Sequence, residues 1–499
     1  MFRTSGMLTA SVFIALTALS SSALLAQEIP ATEMIMSIER ELRFDQAVPE
    51  QNIDIDSKNG IVTLTGTVND LLSKERAARI AETVKGVRAV NNRIDVVPVM
   101  DHMPWQLRQS VQAALFADAA TESFEVTARV PSEGKVVLEG QTESWQERAL
   151  AAKVAKGVAG VKELQNNIKV AKMEQRADRE IEQDIEAALR WNVLVDSAMI
   201  NVEVEDAKVK LSGTVGSAAE KRQASLDAWV SGVRSVDSEA IKVAEWARDP
   251  NLRKDKYSDK PDVEVKAAVR DALRYDPRVA VDDINVNVRD GFVTLQGKVS
   301  NLKAKQVAER DARNTVGVIG VSNLIKVRTE QPRSDALIAA EIRAALAGQA
   351  HIETDQIEVR VIDGTAHLDG RVDTVFKKAS AEDVAARVAG VIHVQNDIEI
   401  GTPQPMVYNP YVDDWEIYNS PWYAVDRITP RKRDHEIRAD INDELFWSPF
   451  VDADDVKVQV DAGIVTLKGQ VESWREFDAA TENALEGGAV RVVNKLEVD

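Results

Sequence analysis

A short string bounded by glycines recurs along almost the whole chain, and this recurrence constrains the fold more than any bulk property. It runs Gly60-Ile-Val-Thr-Leu-Thr-Gly66, Gly134-Lys-Val-Val-Leu-Glu-Gly140, Gly291-Phe-Val-Thr-Leu-Gln-Gly297, Gly364-Thr-Ala-His-Leu-Asp-Gly370 and Gly463-Ile-Val-Thr-Leu-Lys-Gly469. A degenerate copy begins at Ala207 and ends at Gly213. The closing glycines are spaced 74, 73, 84, 73 and 99 residues apart. The repeating unit is therefore about 73 residues long, and the two long intervals hold insertions.

Each unit reads the same way. Apolar residues at spacing four open it, as in Met34, Ile38 and Leu42 or Ile437, Ile441 and Leu445, which predicts one helix with an apolar stripe. An alternating segment such as Ile284, Val286 and Val288 predicts a strand. The first glycine, usually after Asn or Asp (Asn59, Asp290, Asp363), predicts a tight hairpin turn with positive φ. A second strand follows. The next helix carries small residues one turn apart, such as Ala77 and Ala81 or Ala381 and Ala385, which permits close packing. Gly86, Gly160, Gly232, Gly317, Gly390 and Gly488 are expected to stop that helix. A third strand closes the unit, with a recurrent asparagine: Asn92, Asn166, Asn323, Asn396 and Asn494. The expected fold class is α+β: six tandem α-β-β-α-β domains, each a three-stranded sheet with two helices on one face. The third unit departs most. Ala207 replaces the turn glycine, and Asp237 or Ser238 stands where the other copies have Asn. Its hairpin is expected to take another shape, and this copy is expected to be the least stable.

The expected boundaries are a signal peptide at 1–26, then units at 32–98, 101–171, 174–244, 259–328, 332–400 and 433–499. A charged linker at 245–258 and a Pro- and aromatic-rich linker at 401–432 separate them. The leader has Arg3, an apolar core from Met7 to Leu19 and small residues to Ala23 or Ala26, as in a cleavable secretory signal. An uncleaved anchor is the alternative, but the apolar core is short for a span of about twenty residues. The chain has no Cys, which excludes disulfides, thiol catalysis and an acylated-cysteine anchor. Its formal charge of −19 disfavours nucleic acid, whose phosphates need Lys and Arg. It also disfavours an anionic membrane surface for the chain as a whole.

These motifs resemble the BON family, named for osmotically inducible periplasmic proteins and nodulation proteins. The match is clearest at Gly60 to Val68 with Gly86 to Ile94, and at Gly291 to Val299 with Gly317 to Ile325. The resemblance implies a periplasmic address, a role in envelope integrity or osmotic stress, phospholipid binding or protein association, and no catalytic residues.

The recurrent glycines and asparagines read as backbone geometry rather than ligand contacts, because they persist while the surfaces change. The histidines, His102, His351, His367, His393 and His435, form no close pair in sequence, so no metal site is expected. The acid pairs Asp282-Asp283, Asp413-Asp414 and Asp454-Asp455 read as solvated turns or linkers, and no catalytic or cofactor site is expected. The free face of strand two is polar (Thr63, Thr65, Glu139, Ser212, Gln296, Asp369, Lys468). The candidate interaction segment is the second linker, with Tyr408, Tyr411, Trp415, Tyr418, Trp422 and Tyr423 between prolines. Tyr and Trp suit interfaces, although they equally suit folding onto a neighbouring unit. The expected function is non-enzymatic: weak, multivalent association with envelope phospholipid, or alternatively a protein-binding scaffold or holdase.

Overall fold

The computed structural model describes residues 29–49, 52–99, 102–171, 176–248, 252, 256–257, 260–352, 356–401, 409, 411–412, 432–448 and 450–498. The leader segment lies outside these. In unit 1, helix α1 (Ala31–Phe44) is followed by β1 (Ile53–Lys58), β2 (Ile61–Val68), helix α2 (Leu71–Thr83), β3 (Ala89–Asn92) and β4 (Asp95–Val96). β2 is central, antiparallel to β1 and parallel to β3 and β4. The final strand is thus one strand broken after Asn92. Units 2, 3 and 5 show the same break, whereas units 4 and 6 keep the last strand whole, as Gly320–Val327 and Arg491–Val498.

The remaining helices are α3 (Pro104–Ala117) and α4 (Trp145–Lys156) in unit 2, α5 (Asp178–Trp191) and α6 (Ala218–Asp227) in unit 3, and α7 (Asp262–Tyr275) and α8 (Leu302–Arg313) in unit 4. Unit 5 holds α9 (Asp335–Ala347) and α10 (Val375–Arg387), and unit 6 holds α11 (Asp434–Trp447) and α12 (Trp474–Glu486). Every second helix starts at a polar cap that accepts a backbone N–H: Asp70, Ser144, Ser217, Asn301, Thr374 and Ser473. Each unit has its own core. In unit 1 Ile38, Leu42, Val62, Leu64, Ala77 and Ala81 are fully buried between helices and sheet.

The glycines act as local constraints. Gly66 has φ +114°, and a Cβ there would lie 2.0 Å from the Asn52 carbonyl oxygen, so no side chain fits. The hairpin turn of unit 3 corrects the expectation of a different shape. Asp206 and Ala207 adopt φ of +52° and +60°, matching Asp290 (+50°) and Gly291 (+73°). The turn is held by Asp178 at the start of α5, which accepts the N–H groups of Asp206 (2.9 Å) and Ala207 (2.8 Å). Asp262, Asp335 and Asp434 clamp the turns of units 4, 5 and 6 in the same way. This external clamp is the physical reason an alanine can occupy a left-handed position. Unit 2 has no aspartate there, and its hairpin carries a bulge between Arg129 and Ser132.

The units do not hang as separate beads. Units 2 and 5 join where α3 packs on α9 and Val158 pairs with Gln349. Units 3 and 4 join likewise, where α5 packs on α7 and Asn192 pairs with Thr315. Units 1 and 6 meet where Trp447 packs against the core of unit 1. The starts of three second helices supply further contacts, beside α2 on α6 (units 1 and 3) and α8 on α10 (units 4 and 5). Trp145 donates its indole N–H to the Val233 carbonyl (2.8 Å), joining units 2 and 3. Trp474 donates to the Ile319 carbonyl (2.7 Å), joining units 6 and 4. Val375 and Phe376 pack on Ala47, joining units 5 and 1. The contacts therefore close a cycle 1-6-4-3-2-5-1, with the helices turned toward a shared interior. The first linker joins in: Lys256 donates to the Asn192 carbonyl (2.6 Å), and Arg248 packs over Gly216, so this segment is not simply solvated.

Candidate functional site

Between the helices lies an open cleft of about 930 Å³. Its walls come from several units, including Arg79 of α2, Lys153 of α4, Trp191 of α5, Tyr275 of α7, Arg310 of α8 and Arg475 of α12. A smaller cavity of about 110 Å³ shares Arg79 and Lys153 with it and reaches α10. This interior is rich in buried charge. Lys303 and Asp383 pair at 2.7 Å across units 4 and 5, both almost wholly buried. Arg387 also pairs with Asp383, and Arg278 pairs with Asp118 at 3.1 Å across units 4 and 2. Burial alone would raise the Asp383 carboxyl, but Arg387 and Lys303 outweigh it and hold it well below the usual carboxylate range. Burial pushes the Lys303 ammonium down to about 8, with Asp383 opposing. Lys153 is also lowered, by burial and by the charges of Arg79, Arg278, Arg387 and Lys303.

A second charged cluster has the opposite character. Glu41 of α1, Glu444 of α11 and Glu486 of α12 each bring a carboxylate oxygen within 4.8 Å of the others, at the junction of units 1 and 6. Burial raises all three pKa values, and the neighbouring carboxylates add to the rise for Glu444 and Glu486. Arg40 is the cation whose field opposes the shift at each. Sequence reading missed this trio, because its members stand on three helices, two of them hundreds of residues from the first, and no local spacing marks them.

Of the candidate aromatic segment, Tyr411 is described and Tyr408, Trp415, Tyr418, Trp422 and Tyr423 lie outside the described residues, as does the acid pair Asp413-Asp414. Tyr411 is buried. Its hydroxyl donates to the Leu194 carbonyl (2.7 Å), its ring stacks obliquely on Phe450 (4.9 Å between centroids), and its carbonyl accepts from Arg222 (2.9 Å). It therefore fastens units 3 and 6 together from within.

The recurrent asparagines tie the last strand of a unit to its second helix. Asn92 donates its amide to the Lys74 carbonyl (2.6 Å) and Asn166 to the Arg148 carbonyl (3.1 Å). Asn323 donates to the Lys305 carbonyl (2.8 Å), Asn396 to the Lys378 carbonyl (2.9 Å) and Asn494 to the Phe477 carbonyl (2.9 Å). In each case the side-chain oxygen accepts the N–H two residues on. Three of them make a further bond on the same helix: Asn323 to Glu309, Asn396 to Glu382 and Asn494 to Thr481. The donors and acceptors of these amides are thus engaged within the unit. In unit 3 Asp237 accepts the Glu239 N–H, and Lys221 donates to the Ile241 carbonyl instead.

The histidines are dispersed. His351 lies 3.4 Å from Asp70, and Ser73 donates its hydroxyl to that same carboxylate (2.7 Å). Ser, His and Asp are the residue types of a hydrolytic triad, but the serine is bonded to the acid rather than to the imidazole, and Asp70 is occupied in capping α2. His102 packs over Gly160, while His367 and His393 sit on adjoining strands of unit 5, and His435 is in α11. On the outside, the free sheet faces carry exposed Thr65, Gln296 and Lys468 and ion pairs such as Arg129–Glu139 (2.6 Å) and Arg360–Asp369 (2.7 Å). One apolar stretch stands out there. Val99 after unit 1, and Met103 and Trp105 at the start of α3, are 82%, 64% and 65% exposed.

Comparison with known proteins decides the family. The BON domain model matches residues 32–98, 106–172, 177–245, 261–329, 334–402 and 433–499. The chain belongs to the BON domain family. Among characterised BON-like relatives, osmotically-inducible protein Y of Escherichia coli (strain K12) is 30% identical over 144 residues, spanning 28% of this chain and 72% of that protein. Two solved structures of CdsD, a structural protein of the type III secretion system of Chlamydia trachomatis, align at 14% and 15% identity with TM-scores of 0.12. They cover 44% and 43% of this chain and 98% and 100% of theirs. No helix among the described residues of the BON array is long and apolar enough to cross a membrane.

Proposed function

We propose that this BON array is a non-enzymatic periplasmic protein that supports the envelope under osmotic stress by weak contact with phospholipid. The observation that carries the reading is the exposed stretch Val99, Met103 and Trp105. A tryptophan left largely in water, close in sequence to two other exposed apolar residues, is costly unless something covers it, and Trp favours the headgroup boundary. The relative's name, osmotically-inducible protein Y, supports the stress context. Much of the helix surface packs between units, so contact falls to residues left exposed at the rim, such as Trp105 at the start of α3, rather than to six equivalent sites.

The test is co-sedimentation of the mature protein with vesicles of phosphatidylethanolamine and phosphatidylglycerol at low salt. Wild type is expected in the pellet, and Met103→Ser with Trp105→Ser is expected to lower the bound fraction at least severalfold. Failure of wild type to pellet, with or without divalent ions, overturns the reading. A second reading, a protein-binding scaffold, is favoured by the polar sheet faces with their cross-strand ion pairs. Crosslinking in intact cells that recovers no protein partner would count against it.

A further inference from the structure

We infer that the junction between the first and last units binds one hard divalent cation, with Glu41, Glu444 and Glu486 as ligands. The three carboxylates converge from α1, α11 and α12. Convergence alone proves little, since acidic groups gather on many surfaces, but here two of the three are buried and Glu41 is half-buried. Glu444 is 5% exposed and Glu486 7%, and the Oε2 atom of Glu486 has no hydrogen-bond partner. Glu486 and Glu41 line a cavity of about 30 Å³, which has room for one water-sized particle. Asn483 lines the same cavity, and its Oδ1 also lacks a partner. A buried carboxylate oxygen and a buried amide oxygen left unmatched at one small void are a large cost without a positive occupant.

The described residues around it do not supply that charge. Arg40 reaches Glu444 at 3.3 Å, but it is shared with Asp443 at 2.8 Å. The lining residues that carry polar side chains, Ser37, Glu41, Thr83, Ser448, Glu482 and Glu486 among them, offer oxygen. Among the described residues no Cys or His lines the cavity, which argues against zinc and for calcium or magnesium. Calcium suits it better, since magnesium keeps several waters that so small a void cannot hold. An ion there would tie α1 to α11 and α12, closing the cycle of units between the first and the last. This inference stands apart from the lipid reading and can fail without it.

The experiment uses the full mature chain stripped with a chelator. Calorimetric titration with CaCl₂ and with MgCl₂ at physiological salt is expected to show one saturable site for calcium, with weaker magnesium uptake. Glu486→Gln and Glu41→Gln are expected to weaken it at least tenfold, while Asp282→Asn with Asp283→Asn leaves it intact. Terbium luminescence excited through Trp447, which lines the cavity, gives a readout that needs no variant, and calcium should compete it away. No saturable site in wild type overturns the inference, as does a site that survives both glutamine variants. Should the variants not fold, terbium emission that calcium does not displace overturns it equally.

Discussion

The junction of units 4 and 5 and the junction of units 1 and 6 both bury several charged side chains, yet they solve the problem in opposite ways. At the first, Lys303 and Arg387 both pair with Asp383, so each buried charge has a counter-charge in direct contact. At the second, Glu41, Glu444 and Glu486 share one guanidinium, that of Arg40, with Asp443 as well. Desolvating an ion costs several kcal/mol, and attraction repays it only where opposite charge stands close. The first junction is therefore complete as built, whereas the second is short of positive charge. A packed assembly of similar domains thus holds one finished seam and one that waits on protons or a cation.

Breaking the balanced seam should have the largest effect. Asp383→Ala leaves Lys303 and Arg387 buried without that carboxylate, a change that costs about 3–5 kcal/mol in such settings. Urea unfolding of the variant should show a clearly lower midpoint than wild type. An unchanged midpoint would mean that this seam contributes nothing to the assembly.

Acidity should separate the two seams next. The Glu41 and Glu444 carboxyls are pushed up, by burial first, to about 7 and about 8, from an ordinary value of 4.5. Between those limits the folded state holds protons that the unfolded state has lost. Metal-free protein should therefore lose stability as pH rises from about 4.5 to 8, with a slope of about 1.4 kcal/mol per pH unit for each extra proton held. Arg40, Asp443, Asp440, Asp45 and Glu482 face these groups and set the detail of the curve. Asp383 is shifted down, so its contribution is present above its unfolded pKa of 3.8 and is lost only as pH falls below that. Thermal midpoints measured from pH 3 to pH 9 should thus show a decline toward alkali that Glu486→Gln lessens, with buried Asp227 and Asp311 keeping the remainder, and an acid loss that it leaves untouched.

Much of the unit was legible in the sequence, and little of the assembly was. Local periodicity and glycine geometry act over a few residues, so helix stripes such as Met34, Ile38 and Leu42 and turns such as Asp290-Gly291 can be read directly. The Asp178, Asp262, Asp335 and Asp434 clamps were also present as a recurrent aspartate at the start of the first helix in units 3 to 6, 28 and 29 residues before the turn it holds, but an acidic residue there reads first as a helix N-terminal preference. The seams were not legible. Lys303 and Asp383 are 80 residues apart, and Arg40 and Asp443 are 403 apart, so each looked like an ordinary surface charge. Tyr411 was singled out for its residue type, which announces an interface without saying that the interface lies within the same chain.

The smallest expected effect is at a site remote from both seams and so measures the unit rather than the assembly. Ala207 holds φ of +60°, where a Cβ is strained and glycine is not. Ala207→Gly removes that strain but also frees the unfolded chain, and the two contributions oppose each other. Because the Asp178 clamp keeps the turn in its left-handed form in either case, the relief should prevail, with a gain of about 1 kcal/mol. That gain should be the same at pH 5 and pH 8, since no group of either seam is involved. A gain that followed pH like the carboxylate junction would show that the third unit is coupled to the closing seam, and that the two junctions cannot be treated as independent.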